Sequence, residues 1–213
     1  MGQVLLMGLA TFTRVALLVV LSTVIWVPIG VAIGFTPRLA RLMQPVVQFL
    51  ASFPANFLFP FATIVFINIG LSLNIGGILL MSLGAQWYIL FNTIAGAMSI
   101  PNDLREMTRN LDVRGWRLWQ SLIIPGIFAT WVTGGITASG GAWNASIVSE
   151  IVSWGNTTLR AYGLGAYIAS ATKGGDWPRI VLGVGCMCVF VVGLNRFFWR
   201  RLYQLAETKY RLG

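Results

Sequence analysis

Long apolar runs separated by short polar stretches account for most of the chain. Five such runs are long enough to cross a bilayer as helices, at about residues 15–33, 46–67, 78–98, 123–147 and 181–198. Pro54 and Pro60 interrupt the second run, and a membrane tolerates such breaks only where neighbouring helices or water satisfy the freed carbonyl groups. The pattern predicts an all-α polytopic membrane protein, with residues 1–213 forming a single transmembrane domain. The second span should face protein rather than lipid.

The stretch between the fourth and fifth runs is too polar and too rich in glycine to cross the membrane. Within it, Leu164, Tyr167, Ile168 and Ala171 recur at helical spacing. We therefore predict a short external helix at about residues 158–172, lying at the membrane surface with this apolar face towards lipid.

The longest charged segment lies between the third and fourth runs, from Pro101 to Pro125, and reads PNDLREMTRNLDVRGWRLWQSLIIP. It cannot lie in hydrocarbon, because each unpaired charge there would cost at least a few kcal/mol. Asp103 and Glu106 are three residues apart, as in a capping box at the start of a helix. The segment is therefore predicted to be a loop that begins with a capped helix.

The apolar residues of this segment predict two short helices joined by a turn. Leu104, Met107 and Leu111 share one face of the first helix. A turn is expected near Asp112, because aspartate adopts left-handed conformations more readily than most residues. A second helix would then place Trp116 at the membrane interface. An ordinary amphipathic loop resting on lipid headgroups would show the same pattern, so the residues alone leave both interpretations open.

The composition agrees with a membrane protein. Of the 213 residues, 56% are hydrophobic and 10% are charged, and the mean hydropathy is +0.76. Soluble domains carry about a quarter of charged residues. The formal net charge is +9, which in a soluble chain would suggest nucleic acid as a partner. In a membrane chain, basic loops follow from the positive-inside rule, so no nucleic acid partner is expected.

The distribution of positive charge predicts the orientation of the chain. If the loop near Arg38, the Pro101–Pro125 segment and the C-terminus share one side, that side holds eleven of the 15 basic residues. They are Arg38, Arg41, Arg105, Arg109, Arg114, Arg117, Arg196, Arg200, Arg201, Lys209 and Arg211. This side is assigned to the cytoplasm. The N-terminus would then be external, which suggests that the chain is a fragment or one half of a longer protein.

Few residues of the chain could support catalysis. The sequence contains no histidine and no G-x-x-x-x-G-K-S/T phosphate-binding loop, so any ATP hydrolysis would have to take place on a separate chain. Cys186 and Cys188 are two residues apart in an apolar run and would point to different helix faces, which argues against a disulfide between them. We expect no enzymatic activity, no metal site and no cofactor in this chain.

Four residues of the fourth run and its end are candidates for a solute pathway: Ser139, Asn144, Ser146 and Glu150. Acids in or beside a membrane span are functional candidates by default. Each candidate also has a simpler interpretation. Glu150 lies near the end of its span and could reach water, and small polar residues often serve close helix packing.

In the spacing of Glu106, Asp112 and Pro125, the Pro101–Pro125 segment resembles the cytoplasmic EAA loop of the permease subunits of binding-protein-dependent ABC importers. That loop has the pattern E-A-A, three residues, Gly, nine residues, I-x-L-P. Glu106, Asp112 and the run from Leu122 to Pro125 have the same spacing. The departures from the pattern are Met107, Thr108, Asp112, Leu122 and Ile124.

The resemblance extends over nearly the whole chain. Five core spans with a loop between the third and fourth resemble a type I importer permease. The runs Gly140–Ile147 (GGAWNASI) and Asn195–Tyr203 (NRFFWRRLY) are similar to the nitrate, taurine and sulfonate branch, particularly to members in which two permease halves are fused. By this resemblance, the chain would be either a separate permease subunit or one half of a fused permease.

This resemblance implies an ATP-driven importer in a bacterial inner membrane, moving a small anion such as nitrate, a sulfonate or a taurine-like solute by alternating access. The implied partners are cytoplasmic ATPase subunits that bind ATP and Mg²⁺, a second permease half, an external solute-binding protein and membrane lipid. The second half would be an identical or a related chain. The residues expected to couple to the ATPase are Asp103, Glu106, Met107, Arg109, Asp112, Trp116 and Pro125.

Two other functions are compatible with the residues. The chain could be an ion-coupled secondary transporter without an ATPase, or a membrane scaffold that presents the loop to another protein. A secondary transporter would depend on ionisable residues inside the membrane, and Glu150 is the candidate for that role.

Overall fold

The computed structural model describes residues 1–210, and α-helices make up most of them. In chain order the helices are α1 (Gly2–Gly34), α2 (Pro37–Ser52), α3 (Phe59–Ile69), α4 (Leu73–Ser99), α5 (Asn102–Asn110), α6 (Gly115–Leu118), α7 (Ile124–Ser149), α8 (Leu164–Lys173), α9 (Trp177–Leu194) and α10 (Arg200–Lys209). Arg211, one of the basic residues assigned to the cytoplasmic side, lies outside the described residues.

Short elements of other geometry join these helices. A 3-10 turn, Ala55–Leu58, precedes α3, and π-turns at Trp119–Ile123 and Asn195–Trp199 precede α7 and α10. Between α7 and α8, strands β1 (Ile151–Trp154) and β2 (Thr157–Arg160) form an antiparallel hairpin in which Ile151 pairs with Arg160.

Within residues 1–210, four helical rods are long and apolar enough to cross a membrane: Gly2–Gly34, Leu73–Ser99, Gly115–Ser149 and Trp177–Lys209. The third rod runs from α6 through α7, and the fourth runs from α9 through α10. A bent pair, α2 with Ala55–Ile69, would supply a fifth span. The predicted all-α polytopic fold is confirmed.

The second predicted span, 46–67, is divided into two helices that meet at an angle of 74°. Phe53, which ends α2, is extended, with φ −68° and ψ 128°. Pro54 follows it, and a proline disfavours the helical conformation of the residue before it. Most of α2 is exposed, and Ala40 and Val47 are its buried residues. Most of the surface of α2 therefore has no contact within this chain, and the expectation that the span faces protein stays a prediction.

Small residues let α4 pack closely between α1 and α7. Gly30 of α1 faces Thr93 of α4, and Gly96 of α4 faces Thr130 of α7. A methyl group at either glycine would overlap the threonine side chain, so alanine there would push the helices apart. Contacts of this kind are a common way for helices to associate in membranes.

The segment after α7 differs from the external surface helix predicted at 158–172. The first residues of that range belong to β2, and α8 begins only at Leu164. Leu164, Ala166 and Ile168 are at most 4% exposed, and α8 packs against α7 and α9. The apolar face was correctly predicted to be helical, but it contacts protein. Helical spacing shows that a face is apolar without showing what covers it.

Candidate functional site

The candidate functional site is the two-helix loop that joins α4 to α7, formed by α5, α6 and the turn between them. The predicted capping box is wrong, because Pro101 occupies the N-cap position of α5 and makes no side-chain cap bond. Asp103 lies in the first turn, where the helix dipole favours a negative charge. Both Asp103 and Glu106 are exposed. Their carboxylates are therefore accessible to other molecules.

The predicted turn is present at Asp112. This residue has φ +52°, a left-handed conformation that no other non-glycine residue among the described ones adopts. The N–H of Val113 donates a hydrogen bond of 2.9 Å to the carbonyl of Thr108 and so closes the turn. Asp112 also forms an ion pair with Arg114, in which 2.6 Å separates a carboxylate oxygen from Nε of the guanidinium. Both side chains are highly exposed, and such ion pairs contribute little to stability. The backbone conformation, rather than the ion pair, defines the turn.

Arg105 attaches α5 to the ends of α1 and α4. Its guanidinium donates a hydrogen bond to the backbone carbonyl of Ala97 in the last turn of α4, and it lies 4.4 Å from the ring centre of Phe35 after α1. Burial lowers the pKa of the Arg105 guanidinium below its ordinary value, although an arginine remains protonated at neutral pH. A positive charge is also favoured at the end of a helix. Movement of α5 would therefore be transmitted to both α1 and α4.

The apolar residues of α5 are divided between two environments. Leu104 packs against a cluster that includes Ile100 and Leu122. Met107, by contrast, is 50% exposed and Leu111 is 67% exposed. The side of α5 that faces the membrane helices is centred on Arg105 and the buried Thr108 instead, which the apolar pattern did not indicate.

The second helix of the loop is divided in the same way. Trp116 is 67% exposed, whereas Trp119 packs against the cluster that contains Ile123. Pro125 lies in the first turn of α7. Because proline has no N–H, it cannot bond to the carbonyl of Ser121, and the chain just before it forms the π-turn. Exposed apolar side chains on such a loop are compatible with contact to another protein and with contact to lipid headgroups.

Arg109 is exposed and helps to line a cavity of about 290 Å³ under the loop, together with Phe35, Val113 and Leu118. We use the name outer surface for the exposed residues Asp103, Glu106, Met107, Leu111 and Trp116. Of the seven residues predicted to couple the loop to an ATPase, Pro125 is the half-buried one, and the other six are exposed.

The structure does not bring the four predicted pathway residues together. Ser139 and Ser146 are buried and donate hydrogen bonds to carbonyls of their own helix, at 2.8 and 2.7 Å. Asn144 is exposed. At 100° per residue, Asn144 lies within about 20° of both Thr133 and Thr137 around α7, and both threonines are exposed. Sequence reasoning missed these threonines, although their spacing from Asn144 was visible.

Glu150 is fully buried at the end of α7 and belongs to a polar cluster. Its carboxylate accepts hydrogen bonds from Arg14 at 2.7 Å, from Thr11 at 2.8 Å and from the backbone N–H of Ala166 at 3.2 Å. The expectation that Glu150 reaches water is therefore wrong. Its charge is balanced by Arg14, as a buried charge requires.

Arg14 connects this cluster to further segments. It donates to the backbone carbonyl and the side-chain oxygen of Asn74 at 3.0 and 2.7 Å, and to the carbonyl of Tyr162 at 2.9 Å. The cluster thereby joins α1, the start of α4, the end of α7 and the segment leading into α8. It lies at the ends of α4 and α7 that are remote from the two-helix loop.

Two glycines allow this cluster to form. A side chain at Gly163 would overlap the carboxylate of Glu150, and one at Gly165 would overlap the carbonyl of Ser146. The chain can therefore pass close to the carboxylate only if these positions lack a Cβ atom. Among the described residues, no group of three or more His, Cys, Asp or Glu residues could hold a metal ion.

A comparison with protein families gives one match that covers most of the chain. Residues 25–212 match the family model described as binding-protein-dependent transport system inner membrane component.

Curated relatives align over most of the chain. It is 27% identical over 189 residues to the bicarbonate transport system permease protein CmpB of Synechococcus elongatus, which covers 89% of this chain and 65% of that protein. The nitrate import permease protein NrtB of the same organism is 28% identical, with 88% and 64% covered. The taurine transport system permease protein TauC of Escherichia coli is 23% identical, with 91% and 68% covered. The chain thus spans slightly less than two thirds of the first two relatives.

A solved structure shares the fold. The inward-facing MetNI methionine ABC transporter contains a chain that matches with a TM-score of 0.71 at 18% identity, covering 95% of this chain and 96% of that one. At this level of identity the likeness concerns the fold alone.

Proposed function

The chain belongs to the family of binding-protein-dependent transport system inner membrane components, and we propose that it is the membrane-spanning subunit of an ATP-driven importer for a small anion. In this proposal the two-helix loop faces the cytoplasm and the N-terminus is external. ATP and Mg²⁺ are bound by separate ATPase subunits, and an external binding protein delivers the solute.

The observation that carries this proposal is the division of the two-helix loop into an anchored side and an open side. Arg105 ties α5 to Ala97 and Phe35, whereas Met107, Leu111 and Trp116 are left exposed. A partner seated on the outer surface would therefore move α5 and, through Arg105, the ends of α1 and α4. Rigid-body rocking of membrane helices driven in this way is a known kind of conformational switch.

The route of the solute is proposed to run along the exposed polar face of α7. Thr133, Thr137 and Asn144 present hydroxyl and amide groups there, and a second permease half would close the route on its other side. The proposed substrate class follows from the relatives, whose names specify bicarbonate, nitrate and taurine. All three are small solutes that carry an anionic group.

An ion-coupled carrier is less well supported. Such a carrier would use an ionisable group that exchanges protons or ions with water during transport. Glu150, the candidate for that role, is fully buried and paired with Arg14 and Thr11. A carboxylate held in this way favours a structural role.

Co-purification tests the proposal. The tagged chain is extracted from its own membranes, and the proteins bound to it are identified by mass spectrometry. We expect a stoichiometric subunit that carries the G-x-x-x-x-G-K-S/T motif. A variant with residues 103–116 replaced by a Gly/Ser linker should lose this subunit, and thermal unfolding in detergent checks that its membrane helices are still folded. Full transport by the linker variant would refute the proposal.

A further inference from the structure

A cavity of about 390 Å³ lies between α7 and the rod formed by α9 and α10. Its lining residues are Ile136, Val192, Asn195, Arg196, Trp199, Arg200 and Tyr203. One part of this lining is aliphatic, and the other carries two arginines, an amide and a phenol. None of the six acidic residues of the chain belongs to it. The cavity is therefore complementary to an amphipathic anion, with arginines for the charged group and aliphatic side chains for the apolar group.

The two arginines have no partner within the part of the chain that the structure describes. Neither Arg196 nor Arg200 forms an ion pair or donates a side-chain hydrogen bond there. They are four residues apart, so they lie on neighbouring positions of one helical face. Two free guanidinium groups at one cavity favour an oxyanion, because each can donate two parallel hydrogen bonds to its oxygens.

A buried tryptophan, Trp199, belongs to the same lining. Trp199 is 2% exposed, and its indole Nε1–H is buried without a hydrogen-bond partner among the described residues. A buried donor without an acceptor is unfavourable, and such groups in folded proteins usually have an unseen partner. The ring of Trp199 lies against Gly135 of α7, where a side chain would overlap it. Trp199 is thus a fixed part of the wall of the cavity.

The backbone at this point is also unusual. The N–H of Arg200 bonds to the carbonyl of Asn195, five residues earlier, in a π-turn. Such turns are rare and occur frequently at functional sites.

The position of the cavity distinguishes a lipid from a free anion. Val192, which lines it, is 62% exposed, and Val181, Val184 and Val189 of the same helix are exposed as well. Only 11% of the most apolar window of this helical rod is buried within the chain, so these valines are available for contact with acyl chains in a bilayer. The aliphatic part of the cavity is therefore suited to an acyl chain, which a free anion lacks.

From these observations we propose that this cavity is a binding site for an anionic phospholipid. The phosphate group lies between Arg196 and Arg200, and an acyl chain passes over Val192. Basic pockets between transmembrane helices are known to hold anionic lipid headgroups. This inference does not depend on the proposed transport function.

Native mass spectrometry of the full chain in detergent tests the site. Dioleoylphosphatidylglycerol is titrated against dioleoylphosphatidylcholine, which has the same acyl chains and no net charge. We expect selective retention of the phosphatidylglycerol. Replacing Arg196 and Arg200 by glutamine should weaken its retention by about fivefold for each arginine. The matched control is Arg201→Gln, because Arg201 is exposed in the same basic run but does not line the cavity.

A second variant separates a lipid from a free anion. Val192→Trp leaves all the arginines in place but fills the aliphatic mouth of the cavity. It should weaken retention of the phospholipid without changing the response to inorganic phosphate. The thermal unfolding midpoint of each variant is measured as well, and only variants that unfold at the same temperature as the unaltered chain are compared, so that misfolding is not mistaken for loss of the site.

Three results would overturn the proposal. The first is equal retention of phosphatidylcholine, and the second is an effect of Arg201→Gln as large as that of the cavity arginines. The third is protection against thermal unfolding by millimolar inorganic phosphate that matches the protection by phosphatidylglycerol.

Discussion

The guanidinium of Arg14 lies 2.7 Å from the carboxylate of Glu150, although 136 residues separate the two in the chain. Their side chains are 7% and 0% exposed, so each charge depends on the other for its stabilisation. Removing one partner of a buried ion pair leaves a charge that neither water nor protein balances. The pair therefore holds α1 against the end of α7.

We expect Arg14→Met to destabilise the fold by about 3–5 kcal/mol, because it leaves Glu150 buried and unpaired. The measurement is the thermal unfolding midpoint of the purified chain in detergent. Arg160→Met is the control, since Arg160 is exposed in β2, and it should change stability by less than about 0.5 kcal/mol. Similar midpoints for the two variants would show that the ion pair contributes nothing.

The glycines near this pair provide an independent prediction. Gly165→Ala should cost about 1–3 kcal/mol, because its methyl group would overlap the carbonyl of Ser146 and force α8 away from α7. Gly174→Ala is the control, because its methyl group would make only an ordinary contact, 3.5 Å from the carbonyl oxygen of Ser170. Unfolding midpoints measured side by side should therefore fall only for Gly165→Ala, and equal midpoints would contradict the close packing.

Arg105 is predicted to be a positioning residue for coupling. In Arg105→Met the charged hydrogen bond to the carbonyl of Ala97 is lost. A hydrogen bond of this kind contributes about 1.5–3 kcal/mol, so we expect solute uptake to fall at least about tenfold. Binding of the ATPase subunit should persist, because the outer surface is unchanged.

Uptake into vesicles and co-purification, measured on the same preparation, separate these two effects. Arg38→Met is the matched control, since Arg38 is exposed on α2. Loss of the ATPase subunit from Arg105→Met would place Arg105 in the docking surface itself and contradict the positioning role.

Trp116 is predicted to be a docking residue. Trp116→Glu adds a charge to a side chain that is 67% exposed, so the stability of the chain should not change. Loss of an aromatic anchor at an interface typically costs 2 kcal/mol or more, which corresponds to about thirtyfold weaker binding of the ATPase subunit. The control is Trp154→Glu, because Trp154 is 48% exposed in β1, at the end remote from the loop. If both variants bind the subunit normally, the outer surface is not the docking site.

The proposed solute route predicts a pattern of chemical accessibility. Single cysteines are placed at Thr137 and Ser146, after Cys186 and Cys188 have been replaced by serine. A membrane-impermeant, charged thiol reagent should modify the cysteine at 137 and leave the one at 146 unmodified, because Ser146 is buried. A cysteine at Val189, which is 70% exposed on α9, reports labelling at a lipid-facing position. Equal labelling at 137 and 189 would contradict a water-filled route along α7.

Several features followed from local sequence information. The helical spans could be located because a run of about 20 apolar residues has few alternatives to a membrane helix. The left-handed turn at Asp112 could be expected because aspartate tolerates that conformation. The charged segment between α4 and α7 had to leave the membrane whatever its partners, because unpaired charges there are costly.

The candidate site was only partly predictable, because local sequence information does not show which neighbouring segments a helix face contacts. The sequence identified the two-helix loop and most of its exposed residues, but it did not distinguish the anchored side from the open side. The apolar pattern predicted a face made of Leu104, Met107 and Leu111, whereas in the structure Arg105 holds α5 to α4 and to Phe35. The hydrogen-bond acceptor that holds Arg105 is the backbone carbonyl of Ala97. Every residue has such a carbonyl, so the sequence does not indicate this contact.

The sequence by itself determined the membrane class, the number of apolar runs and the position of the charged loop, because these depend on local hydrophobicity and charge. Only the tertiary structure decided that Glu150 pairs with Arg14, and that Asn144 rather than Ser139 or Ser146 is exposed on α7. Those outcomes depend on which helices meet and how far each is rotated. Rotation is set by packing between residues that are distant in the chain, and no local pattern encodes it.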